Sequence, residues 1–198
     1  MTTRRQFINA SAALTGIAFV SCDLLHAQQA QAQPKKRVTT VGGQRALVID
    51  MHAHCVIPEA MALMGIQMGA SSSFRPDLNM MSTVEQRLAV MDAQGIDMQA
   101  LSLQPWWYDL SREQVEPVIK LQNEKLAELC GKYPDRFVAF ATTAMQFPDL
   151  AAQQLEEGVK KYGLKGTAIN GHLGADEFAN PKFDVVWRKA EELGAVLR

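Results

Sequence analysis

Histidine is scarce in this chain of 198 residues, at four, and cysteine and tryptophan are scarcer still, at three each. So few cysteines exclude a disulfide-stapled scaffold or an all-cysteine zinc module. No apolar run reaches the roughly 18–20 residues a membrane span requires. Charge of neither sign dominates: 20 basic against 21 acidic residues leave a net −1. That balance offers no basic stripe to a nucleic acid and no stable anchor to an anionic membrane. Absent too is a G-x-G-x-x-G turn after the first strand, where a dinucleotide-binding sheet would carry it. What is present, 47% apolar and 21% charged residues, is the composition of an ordinary globular domain.

The N-terminus reads as a leader. Arg4-Arg5-Gln6-Phe7-Ile8 is a twin-arginine pair, followed by an apolar run from Ala10 to Val20 and by Ala30-Gln31-Ala32, which fits an A-x-A cleavage site. Residues 1–32 are therefore expected to direct export to the periplasm and to pack little against the rest. Residues 33–45 read as a polar linker, and the domain proper as 46–198. An oxidising compartment raises the question of a disulfide between Cys55 and Cys130. Cys55 ends a strand and Cys130 ends a helix, which places them at opposite ends of a strand–helix unit and too far apart to bridge.

From residue 46 the pattern alternates. Ala46-Leu47-Val48-Ile49 is a continuous apolar run of the buried parallel type. Strands are expected near 46–51, 97–103, 136–142 and 165–170, and a fifth begins at Ala195-Val196-Leu197. Between them lie helices with Val84, Leu88 and Met91, with Val115, Val118 and Ile119, with Leu155, Val159 and Tyr162, and with Phe183, Val186 and Trp187 at helical spacing. Ser82-Thr83-Val84-Glu85 reads as a capping box, and Ser111-Arg112-Glu113-Gln114 caps the second helix. The stretch from Cys55 to Met81 reads as a long structureless cover rich in methionine, with Met61, Met64, Met68, Met80 and Met81 as an adaptable lid. Strict alternation of apolar strand and helix means an α/β fold with a parallel sheet.

Chemistry concentrates at the end of strand one, in Asp50-Met51-His52-Ala53-His54. Two residues apart on a strand, His52 and His54 leave the same face. At the C-terminal end of a parallel strand that face meets the mouth of the fold. Two neutral imidazoles there suit a borderline divalent metal such as zinc. Cys55, one residue on, points the other way.

Val48-Ile49-Asp50-Met51-His52-Ala53-His54 resembles the opening strand of the amidohydrolase superfamily, and in particular the branch of 2-amino-3-carboxymuconate-6-semialdehyde decarboxylase. Ser73-Phe74-Arg75-Pro76, the run from Gln86 to Asp97, Tyr133-Pro134-Asp135-Arg136-Phe137 and Gly171-His172-Leu173-Gly174 resemble that branch as well. The resemblance implies a metal-dependent (β/α)8 TIM barrel, here truncated to roughly its first half. It implies a divalent metal, usually zinc, on His52 and His54. A third histidine on strand five, a proton-handling histidine on strand six and an aspartate after strand eight are expected beyond Arg198. Arg75 matches the family arginine for a substrate carboxylate, and its guanidinium fork suits one. Trp106, with Trp107 and Tyr108, is expected either to wall an aromatic or conjugated substrate or to pack under the lid. His172 is expected to line the pocket or to serve structure. The implied activity is a carboxy-lyase for an unsaturated or aromatic carboxylic acid, with hydrolysis of an ester, lactone or amide, or a non-catalytic product, as alternatives. Open strand edges lead to an expectation of self-pairing into a homo-oligomer.

Overall fold

The computed structural model describes residues 17–20, 36–66, 81–169 and 171–198, with the backbone alone for 18–20, 81, 82 and 172. Arg75 lies outside the described residues. Five strands run parallel in sequence order: β4 (Ile49–Val56), β6 (Met98–Ser102), β7 (Phe137–Ala139), β8 (Gly166–Thr167) and β11 (Val196–Leu197). β4 pairs with β6 and β6 with β7. A bridge from Ala141 to Thr167 carries the sheet on to β8, which pairs with β11. Among the described residues the strands form an open arc and close no barrel.

Helices alternate with the strands because the local signals are strong. α2 (Val84–Gln94) starts at Thr83, whose side chain accepts from Gln86 N while the Gln86 side chain returns to the Thr83 amide. The reciprocal box is therefore Thr83/Gln86, one residue later than the sequence reading placed it. α3 (Arg112–Lys132) carries the expected Ser111/Gln114 box. α4 (Pro148–Lys160) opens on a proline at its first turn, where the missing N–H is no loss. α5 (Asp184–Leu193) follows a 3-10 turn at Pro181–Phe183. The cover after β4 is not structureless, since α1 (Pro58–Leu63) forms within it. Met61 is fully buried and Met64 packs against the core, so these two fill the interior rather than a lid.

The core sits between the sheet and α3, where Leu101, Val115, Ile119, Leu126 and Phe137 meet. Truncating such a side chain to alanine costs on the order of 2–5 kcal/mol. A second cluster, Met145, Leu155, Phe183, Val186 and Ala190, joins α4 to α5. Cys55 and Cys130 are free thiols, and both pack into the first cluster rather than standing at opposite ends of the unit. Burial pushes both up, Cys130 to about 11, so neither is a thiolate at neutral pH. Among the described residues no helix is long and apolar enough to cross a membrane.

One expectation about the N-terminus, that residues 1–32 pack little against the rest, is corrected at the residues described there. β1 (Ala18–Val20) lies in the sheet, antiparallel to β4 at Ala18–Val56 and Phe19–Cys55 and to β5 (Met81–Ser82) on its other side. An apolar segment is taken up there because the edge of β4 presents unpaired N–H and C=O groups. The linker also ends in structure, as a hairpin of β2 (Thr40–Val41) and β3 (Gln44–Arg45) turning at Gly42-Gly43, both at positive φ.

The two ends of the sheet differ in character. At the N-terminal end charges clasp the elements together: Asp97 accepts from Val48 N at 3.0 Å and from Arg45 at 2.6 Å, with Lys36 at 3.2 Å. Arg136 donates to the Asp97 carbonyl at 2.9 Å and to the Asp92 carboxylate at 2.8 Å. At the C-terminal end lies the cavity. In a parallel strand–helix fold this is the usual division between stability and chemistry.

Candidate metal-binding and active site

His52 and His54 stand on β4 where its register against β6 slips. Asp50 pairs with Gln99 but Ala53 with Leu101, so three residues of β4 advance against two of β6. A bulge of this kind re-aims side chains, and here it includes His52. The result is convergence: the two Nε2 atoms lie 2.9 Å apart with the rings edge to face, at an interplanar angle of 81°. Donors bound at roughly 2.1 Å to one ion by near-perpendicular bonds stand about 3 Å apart, so the pair fits a shared divalent cation. Among the described residues no third His, Cys, Asp or Glu stands with them.

The ring of His54 is oriented from behind. Ser102, at the end of β6, sits with Oγ 3.2 Å from His54 Nδ1. That hydroxyl accepts from Arg198 Nη1 at 2.7 Å and has a second lone pair for His54 Nδ1–H. A proton on Nδ1 leaves Nε2 with its lone pair toward the cavity, the arrangement metal-binding histidines use. Burial first, then the charges of His52 and Arg198, hold His54 below the ordinary histidine value, while a hydrogen bond at Ser102 pulls the other way. His54 therefore stays neutral, and able to bind a metal, to lower pH than a free histidine would.

The cavity in front of the pair has a volume of about 350 Å³. Its walls include Leu103, Pro105, Ala168 and Ile169, with Ser102 and Arg198 as polar groups. Its size suits a ligand of one ring. Arg198 is placed there by β11 pairing, since its N–H donates to the Thr167 carbonyl and its carbonyl accepts from Ile169 N. Its guanidinium lies 5.9 Å from the Phe140 ring centre.

The other predicted residues fare unevenly. Trp106 is half-buried and does not line the cavity; Gln104 and Pro105 of its loop do. The loop turns back after Pro105, and Trp107 is buried in the core with Nε1 donating to the Thr143 carbonyl at 2.9 Å. His172 lies in β9 (His172–Leu173), paired with β10 (Asp176–Glu177), and its side chain is outside the description. Sequence reasoning missed Ser102 and Arg198. Ser102 ends an apolar strand, a position that does announce a mouth-facing side chain; Arg198 carries no local signal.

A family model described as Amidohydrolase matches residues 49–198. Gamma-resorcylate decarboxylase of Rhizobium radiobacter is 32% identical over 117 residues, covering 55% of this chain and 36% of that protein. The 2-amino-3-carboxymuconate-6-semialdehyde decarboxylase of Dictyostelium discoideum is 22% identical over 113 residues, covering 56% and 32%. Among solved structures, 5-carboxyvanillate decarboxylase of Novosphingobium aromaticivorans, with bound manganese, superposes with a TM-score of 0.65 at 26% identity, covering 81% of this chain and 52% of that one. The chain thus spans about a third of the curated relatives it matches and about half of that structure. With the histidine pair at the mouth of a parallel sheet and a family match running from β4 to Arg198, the chain belongs to the amidohydrolase family.

Proposed function

We propose that this chain carries the first metal ligands and part of the substrate cavity of a non-oxidative decarboxylase acting on a small aromatic or unsaturated carboxylic acid. The observation that carries the reading is the convergence of His52 and His54 Nε2 at 2.9 Å on a one-ring cavity. Relatives that are decarboxylases support it. The five parallel strands are then an arc of a (β/α)8 barrel.

A divalent ion on the pair supplies positive charge beside a substrate oxygen. Manganese is the first ion to try, because a structural neighbour is described with it; zinc is the second. The chain's own groups do the rest. Ser102 holds the tautomer of His54, and the apolar walls pack a ring and exclude water. Arg198 presents a guanidinium that suits a carboxylate or phenolate. Arg75, and His172 if its side chain reaches the cavity, are proposed as further contacts to the acid.

The test is carbon dioxide release from gamma-resorcylate by the whole chain with Mn2+ or Zn2+. Metal-dependent release that vanishes in His52→Ala and His54→Ala is the expected result. The two-ligand set among the described residues favours a second reading, in which the chain binds metal weakly and turns nothing over. Bound metal without carbon dioxide would select that reading, and cleavage of a lactone, ester or amide panel would select a hydrolase. No metal bound at all would sink both.

Residues 1–32 are proposed as a twin-arginine export leader. A fusion in which Arg4 and Arg5 are replaced by lysine should stay in the cytoplasm; arrival in the periplasm would end that proposal. Self-association through the sheet edges is proposed as well, and a monomer by light scattering would rule it out.

A further inference from the structure

A polar chain that the site chemistry does not itself use leads to the metal-ligand pair, buried at Arg87 and Gln99 and part-buried where it reaches Asp50. Arg87, on α2, is 8% exposed, and Gln99, on β6, is 2% exposed. Arg87 Nε donates to Gln99 Oε1 at 2.7 Å, and Gln99 Nε2 donates to Asp50 Oδ2 at 2.7 Å. The other oxygen of that carboxylate, Asp50 Oδ1, accepts from the backbone N–H of His52 at 3.0 Å. Asp50 and Gln99 are register partners, and the slip between β4 and β6 begins immediately after them.

The residue types leave no freedom of direction. A guanidinium only donates and a carboxylate only accepts, so whatever joins them across this gap must accept on one side and donate on the other. Glutamine does both. Glutamate would accept from Arg87 but present a lone pair to Asp50, and an apolar residue would strand a buried guanidinium without that acceptor. A link of this kind within the sheet fixes the Asp50 carboxylate, and the carboxylate fixes the amide at which β4 departs from regular pairing.

We propose that Gln99 is a positioning residue for the His52–His54 pair: by tying buried Arg87 to Asp50 it sets the backbone of the bulge, and with it the approach of the two imidazoles. The proposal rests on the metal reading above only for its consequence in metal affinity, because the backbone effect exists without metal. Arg87 and Asp50 touch neither the cavity nor the imidazole nitrogens through these bonds; they act through the chain between β6 and His52.

The experiment uses the whole chain with two readouts. Hydrogen-exchange protection of the His52 amide is measured without metal, and Mn2+ affinity by electron paramagnetic resonance. Gln99→Glu keeps the bond to Arg87 and breaks the one to Asp50. It should speed exchange at His52 while thermal unfolding holds, and weaken Mn2+ about 10–100-fold, as changes behind metal ligands do. Asp50→Asn should do the same, since its amide would meet the amide of Gln99 donor to donor. Combining the two substitutions restores the link with reversed polarity. The new asparagine amide donates to the new glutamate carboxylate, its oxygen still accepts from His52, and net charge is unchanged. The double variant should recover most of both losses, a coupling that a merely structural role for either residue would not produce. Unchanged His52 exchange in Gln99→Glu, or losses that simply add in the double variant, would overturn the proposal. If Gln99→Glu does not fold, Asp50→Ala leaves the Arg87–Gln99 bond in place, and unchanged His52 exchange there overturns it equally. A parent chain that binds no Mn2+ defeats the metal reading, and the metal-free readout still decides the positioning role.

Discussion

Asn123 closes on Thr142 from both sides: its Oδ1 accepts from Thr142 N at 2.8 Å and from the Thr142 hydroxyl at 3.1 Å, while its Nδ2 donates to the Thr142 carbonyl at 3.1 Å. Asn123 lies on α3 and Thr142 just past β7, and both are buried. A side-chain amide thereby satisfies the backbone of a buried segment that has left the sheet. Asn123→Leu should cost on the order of 3 kcal/mol, because two backbone groups lose their partner in the interior. Urea unfolding measures it, and a midpoint within error of the parent would refute the assignment.

Asp97 should make the N-terminal end of the fold sensitive to acid. A hydrogen bond from Val48 N is the largest cause holding its carboxyl below the usual range, with Lys36 and Arg45 adding to it against the opposing effect of burial. A carboxyl whose folded value is depressed stabilises above its unfolded value, and that contribution is lost as pH falls through the folded one. Asp97→Asn should therefore unfold at lower temperature than the parent at pH 7, and the gap should shrink toward pH 3. A gap independent of pH would contradict the ionic account.

Arg198 should be felt at His54 in the metal-free chain. Its charge is among the causes that lower His54, after burial and His52. Arg198→Met removes that charge, so the His54 midpoint, read from its ring protons by NMR, should rise toward the ordinary histidine value. A fall or no change would mean that the guanidinium does not stand where Ser102 holds it.

Gly166 admits the fifth parallel strand. Its φ is +145°, and a Cβ there would sit 1.8 Å from the Val196 carbonyl oxygen. Gly166→Ala should part β8 from β11, raising amide exchange at Val196 and Arg198, and should withdraw Arg198 from the cavity. Unchanged protection at those amides would show that the backbone accommodates the methyl.

The parallel order was legible because the strands alternate with helices of clear period, although β4 runs Ile49–Val56, displaced from the expected 46–51, and the apolar run before it is exposed at Leu47. The histidine pair was legible because a spacing of two fixes a shared face. The bulge at His52 was not, since it exists only in the pairing of β4 with β6, where Asp50 stands opposite Gln99, 49 residues away. Arg198 meets Ser102 across 96 residues, and no local pattern carries that. For the aromatic trio the sequence left two readings open, a cavity wall or packing, and Trp107 takes the second: it lies in the core, where its N–H finds the Thr143 carbonyl. The helix starts were right in kind and off by one residue at α2. Ser82 with Glu85 and Thr83 with Gln86 are both competent capping pairs, and Ser82 is taken by β5, which leaves the cap to Thr83.

If residues 1–32 are the export leader proposed above, the strand at Ala18–Val20 is part of what processing would remove. It occupies the edge of β4 beside Cys55 and Val56, one and two residues past His54. On that reading, a cut after Ala32 would sever the strand from the domain and leave the backbone of β4 at Cys55 and Val56 unpaired on that side only after export. The peptidase would then act as a timer, and the same stretch of sheet edge would be closed in transit and open on arrival, available to whatever next pairs with β4.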